Sequence, residues 1–150
     1  MSYFREPLSD FYNYRYLLYL DDARLLAKSE RPYHLTVVSF PEIRSFNRTM
    51  GFIKADQVLD EVGHKLHQTA EGFDRAEEKA DNNVMVLRKG SDFLIYTDGH
   101  DDILEEILAE IEKHLQATRD DWGLESKYHH FTFACGYSAE KALNRVFSVN

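Results

Sequence analysis

The sequence has one cysteine, one tryptophan and three prolines in 150 residues. A single thiol, Cys135, excludes an internal disulfide. Its setting in the apolar run Phe133-Ala-Cys-Gly-Tyr137 predicts a buried core thiol, not a nucleophile. Long apolar runs are missing. No stretch approaches the ~20 residues of a membrane span, and the opening Met-Ser-Tyr-Phe-Arg-Glu lacks signal-peptide character. Together these features predict a protein of the reducing cytoplasm. Positive charge is scarce: 18 Lys and Arg against 26 Asp and Glu give a net charge of −8. That argues against broad nucleic-acid binding, which needs a cationic surface. No P-loop, dinucleotide fingerprint or nucleophile elbow is present.

What is there suits a packed core. Nine Tyr and ten Phe supply aromatic bulk, and the length fits one domain over 1–150. Residues 1–12 read as a lead-in, with Ser9-Asp10 suited to a helix N-cap. Leu17, Leu20, Ala23 and Leu26 predict a helix from Tyr14 to Ser29, closed by Pro32. His34 to Phe40 is a strand with apolar residues on both faces, as in a strand covered on each side. A short helix follows from Glu42 to Met50, with Gly51 behind it. Val58, Leu59, Val62 and Leu66 predict a longer helix over Ile53 to Thr69, and Glu71 to Asn83 reads as a connecting loop. Ile103, Leu104, Ile107, Leu108, Ile111 and Leu115 set one face of a helix over Asp101 to Gln116. A loop with Trp122 leads to a last strand, His130 to Tyr137, and the closing 138–150 is a short helix and tail.

Between the helices, Asn83 to Thr97 predicts a hairpin. Val84, Val86, Phe93, Leu94 and Ile95 supply strand-type residues, and Gly90 suits the reversal between them. The element order contains strand–helix–strand–strand–helix–strand. This is the ferredoxin-like α+β arrangement, with a mostly antiparallel central sheet, helices on one face and room for one on the other.

Five stretches then resemble the GGDEF domains, the diguanylate cyclase family with a nucleotidyl cyclase or polymerase palm fold. Glu6-Pro-Leu-Ser-Asp-Phe-Tyr-Asn-Tyr-Arg-Tyr-Leu17 resembles the opening D-P-L-T-G-L-P-N-R-R-x-L. Val38-Ser-Phe-Pro-Glu-Ile-Arg-Ser-Phe-Asn47 resembles D-x-D-x-F-K-x-x-N. Gly51 to Leu59 resembles G-H-x-x-G-D-x-x-L, and Lys89-Gly-Ser-Asp-Phe93 falls where G-G-D-E-F belongs. Phe133-Ala-Cys-Gly-Tyr137 resembles S-x-G-x-A. The match runs over residues 6 to 137.

The resemblance implies an enzyme that joins two GTP molecules held by a face-to-face pair of protomers. Divalent metals, held by carboxylates, activate the 3′-hydroxyl and neutralise phosphate charge. In this sequence the two first-strand carboxylate positions are Ser39 and Pro41. In the hairpin, Ser91 and Asp92 stand for the family's acidic pair, so one expected carboxylate remains, and its alternative reading is a solvated turn residue. Lys89 replaces the first motif glycine; its side chain either occludes the phosphate site or supplies positive charge in place of the metal. Asn47 and Asp56 match the family's guanine-reading positions, and with Gly90 they are the candidate nucleotide contacts. A helical Asn and a surface Asp are their plain alternatives. The inhibitory product site R-x-x-D falls on Ala80 and Asn83, and the Arg position just before the motif falls on Leu87, so none of its charged groups is kept. The closing A-D-x-A-L-Y-x-A-K helix, with its phosphate-binding basic residues, is not recognisable in 138–150. Either the domain is shortened here or the sequence is a piece of something longer.

Other constellations are weaker. His64 and His67 have a metal-ligand spacing without a third ligand, and His129 and His130 point to opposite strand faces. Asp101, Asp102, Glu105 and Glu106 read as a solvated helix start. The expected function is a catalytically inactive GGDEF-like domain, a regulatory or protein-interaction module in cyclic di-GMP-type signalling. It has no cofactor, and either a protein partner or a second copy to dock. The alternatives are a GTP-binding sensor without turnover, and a weak diguanylate cyclase with Mg²⁺ that recruits Asp92 with Glu42 or Asp56.

Overall fold

A computed structural model describes residues 12–22, 32–76, 83–98 and 103–148. In chain order the elements are β1 (Tyr12–Asn13), α1 (Arg15–Asp22), β2 (Tyr33–Ser39), α2 (Ile43–Met50), α3 (Phe52–Ala76), β3 (Asn83–Lys89), β4 (Asp92–Asp98), α4 (Ile103–Trp122), β5 (Lys127–Phe133) and α5 (Ala139–Phe147). The sheet order is β1-β3-β4-β2-β5. All pairings are antiparallel except β1 with β3. The expected α+β, ferredoxin-like antiparallel sheet with flanking helices is therefore present. The two-residue strand β1 was not foreseen, because two residues carry no alternation to read.

Two apolar layers enclose the sheet. On one face Val38, Val84, Val86, Phe93 and Ile95 pack against Ala55, Val58, Leu59, Val62 and Leu66 of α3 and Ile103, Ile107, Ile111 and Leu115 of α4. On the other, Tyr33, Leu35, Val37, Leu94 and Tyr96 pack against Leu17 of α1 and Ala139, Ala142, Leu143 and Val146 of α5. Strand β2 carries apolar residues on both sides because it lies between β4 and β5 with helices above and below. Aromatic stacking reinforces the second layer, with Tyr33 at 5.6 Å from Tyr96 and 5.4 Å from Phe133. The Tyr33 hydroxyl donates to the Tyr137 carbonyl at 2.7 Å and ties the β5–α5 turn to β2.

Several boundaries differ from the sequence reading. Helix α3 continues to Ala76, through residues read as loop, because Ala70 is buried and Phe73 packs against the core. Helix α4 extends to Trp122, where buried Thr118 donates its hydroxyl to the His114 carbonyl. The last strand is Lys127–Phe133, so Cys135 lies in the turn after it and is exposed. The expectation of a buried thiol is corrected: the apolar run spans a strand end and a turn, where Gly136 takes φ +81°. The short closing helix expected within 138–150 is present as α5, capped by the Ser138 hydroxyl accepting from the Lys141 N–H. Its inward positions are Ala139, Ala142, Leu143 and Val146. The Ser9-Asp10 cap, the end of the first helix to Ser29, Ala80 and Asp101-Asp102 fall outside the described residues. At the start of α1, the Asn13 side chain accepts from the Arg15 N–H at 2.9 Å.

Candidate functional site

The β3–β4 reversal is a two-residue loop, Gly90-Ser91, with Gly90 at φ +62°. An added Cβ at Gly90 would meet no neighbour, so the constraint there is the backbone angle, not space. Arg88 anchors the hairpin from the α3 side. Its guanidinium donates to Asp60 at 3.0 Å and to the Gly90 carbonyl at 2.8 Å, and lies over the Phe93 ring.

Strand register then builds a row at the hairpin end of the sheet. Lys89 pairs with Asp92, and Ser39 with Lys127. Val38 pairs with Phe93, which sets Asp92 beside Ser39. The row therefore reads Lys89, Asp92, Ser39, Lys127 across β3, β4, β2 and β5. One step along, Val37 pairs with His129 on the same face. A cavity of about 240 Å³ opens there, walled by Ser39, Asp92, Lys127 and His129 on its polar side. Val37, Phe40, Pro41, Val146 and Phe147 form its apolar side.

The electrostatics follow from this placement. Burial raises the Asp92 carboxyl above its ordinary range, opposed by the Lys89 charge. The Lys89 ammonium does not enter the cavity from above. It lies 4.5 Å from the Phe147 ring centroid and 6.0 Å from that of Tyr14. Lys127 is exposed on the edge strand, and its ammonium makes no ion pair with a described residue.

The structure brings Ser39, Pro41 and Asp92 to one cavity. Phe93 is behind them, fully buried in the α3–α4 layer. Ser91 is half-buried in the loop. Asn47 and Asp56 are elsewhere. Asn47 is half-buried near the end of α2, where its carbonyl accepts from the Gly51 N–H at 2.8 Å, and Asp56 is exposed on α3. Neither lines the cavity, nor does Gly90. Glu42 is exposed just before α2, and Leu87 is buried in the α1–α5 layer. Sequence reasoning missed Lys127, His129 and Phe147. Nothing local marks them; only the β2–β5 register and the docking of α5 carry them to Asp92.

The histidine pairs have other uses. His67 meets Glu71 at 2.7 Å along α3. His129 faces the cavity, whereas His130 lies on the opposite face, 5.2 Å from the His34 ring and 3.4 Å from the Thr36 hydroxyl. Among the described residues, no group of three or more His, Cys, Asp and Glu is placed to hold a metal ion.

No family model and no curated protein matches the chain by sequence. Solved structures do match its fold. The GGDEF domain of DgcB from Caulobacter crescentus, in complex with c-di-GMP, aligns with a TM-score of 0.72 at 17% identity, covering 99% of this chain and 88% of that one. The diguanylate cyclase SiaD from Pseudomonas aeruginosa, in complex with its activator SiaC, aligns with a TM-score of 0.74 at 17% identity, over 97% of this chain and 56% of that one. The S helix-GGDEF-EAL region of Vibrio cholerae LapD, bound to c-di-GMP, aligns at 0.67 and 14% identity, over 96% of this chain and 32% of that one. The chain thus has the fold of GGDEF domains, and it spans only part of the length of the larger proteins that contain one.

Proposed function

We propose that this chain is a GGDEF-type domain that makes no cyclic dinucleotide and serves as a regulatory or interaction module in cyclic di-GMP-type signalling. The observation that carries this reading is the row Lys89, Asp92, Ser39, Lys127. Two-metal nucleotidyl transfer needs several anionic oxygens on one spot. Here a single carboxylate stands among two ammonium groups and a neutral hydroxyl, and Pro41 has no donor atom at all. These residues do not suit Mg²⁺. Phe147 lines the cavity with an aromatic ring and supplies no cation to it. One structural neighbour, the diguanylate cyclase SiaD, is in complex with an activator protein, which supports a protein partner for this chain.

The direct check is incubation of the purified protein with GTP and Mg²⁺ or Mn²⁺, followed by chromatography for cyclic di-GMP. None should form. Product that disappears in an Asp92→Ala variant would instead establish a working, altered cyclase.

A further inference from the structure

We propose that the cavity between β2 and α5 is a metal-independent oxyanion site for a phosphate monoester with a flat apolar body. It rests on the reading above that the hairpin row no longer holds divalent cations.

The row decides the sign of the ligand. The row carries two ammonium groups against one carboxylate, on a chain whose net charge is −8; of the two, Lys127 borders the cavity and Lys89 lies beside it. Lys89 sits over the Phe147 ring. Lys127 is the free cation of the wall: it belongs to the edge strand and borders the cavity, and its ammonium has no ion pair with a described residue. It lies two strand spacings, about 10 Å, from Asp92, with Ser39 between them. A phosphate on the Lys127 side of Ser39 can accept from the Lys127 ammonium, the Ser39 hydroxyl and a His129 ring N–H. Asp92 then orients the ligand, by repulsion when ionised and by donation when protonated.

The opposite wall decides the body of the ligand. Phe40, Pro41, Val146 and Phe147 offer apolar and aromatic surface without a hydrogen-bond donor, which suits a ring lying flat against it. The volume of about 240 Å³ holds one ring and a phosphate, not a dinucleotide. Asn47 and Asp56 belong to helices on the other side of the sheet, so the ring seated here is not read by them.

Phenyl phosphate in excess EDTA is the first probe, followed by calorimetry with the full chain; phenol and inorganic phosphate separate the two walls. Phenyl phosphate should bind without metal, more tightly than inorganic phosphate, and phenol should not bind. K127M should weaken binding about 10-fold or more, and K127R should retain it. S39D, which places a second carboxylate in the row, should abolish binding. Lys127 is exposed and Ser39 half-buried, and a thermal melt of each variant shows that it is folded before it is titrated. Absence of phenyl phosphate binding in EDTA, or affinity unchanged in K127M, overturns the site. Synthesis of cyclic di-GMP would overturn the non-catalytic reading instead, which keeps the two failures apart.

Discussion

Single residues carry most of the chemistry that distinguishes this domain. Asp92 is a carboxyl drawn into partial burial, and its proton is held more tightly folded than unfolded. A raised folded pKa means the stability it contributes is present below the ordinary value of 3.8 and is lost as pH rises through the folded value. An Asp92→Asn variant should therefore melt at a higher temperature than the parent at neutral pH. The gap should close as pH falls toward and below 3.8; thermal melts across that window test it. Thr97 is a second residue out of balance: its hydroxyl is buried with no hydrogen-bond partner among the described residues. Thr97→Val has nearly the same shape and removes the unmet group. It should stabilise the fold by about 1 kcal/mol, read by chemical denaturation. Tyr96, by contrast, donates its buried hydroxyl to Asp98, so that pair is satisfied.

At the scale of elements, α5 is what completes the site. It covers the face formed by Tyr33, Leu35, Val37, Leu94 and Tyr96, and its end places Phe147 against the cavity. A chain ending at Ser138 would leave that face covered by α1 alone. It should lose cooperative unfolding and bind a hydrophobic dye, followed by fluorescence of the single Trp122, over whose ring Lys54 sits at 4.2 Å. On the other face α3 and α4 are joined by polar contact as well as by core packing. Thr69 donates to the Lys65 carbonyl, which leaves its oxygen to accept from His114 at 2.9 Å. Burial lowers the His114 pKa, and lowers that of His130 on β5 likewise. Both favour the neutral ring when folded, so their contribution is present above the ordinary value of 6.5 and is lost as pH falls below it.

For the whole molecule, the corner between α2 and α3 stands apart from the site. Phe52 and Ile53 are 75% and 77% exposed, beside Met50. Side chains this exposed contribute little to the core. A Phe52→Ser, Ile53→Ser double variant should keep the parent melting temperature within about 0.5 kcal/mol of stability. It should stay in solution at higher concentration, measured by light scattering. No helix among the described residues is long and apolar enough to cross a membrane.

The sequence by itself determined the order of elements, because each amphipathic period is a local property. Leu59, Val62 and Leu66 mark one helix face, and Val84, Val86 and Ile95 mark strands, whatever surrounds them. It also determined the chemistry of the hairpin and first strand, since Ser39, Pro41, Lys89 and Asp92 stand in motifs whose spacing is fixed along the chain. Only the tertiary structure decided which groups share the cavity. Lys127 and His129 reach Asp92 through cross-strand register, and Phe147 through helix packing. A pairing slip of one residue would turn them to the other face, and no local pattern records that choice. It decided the exposure of Cys135 as well, because a strand end is set by where its partner strand stops.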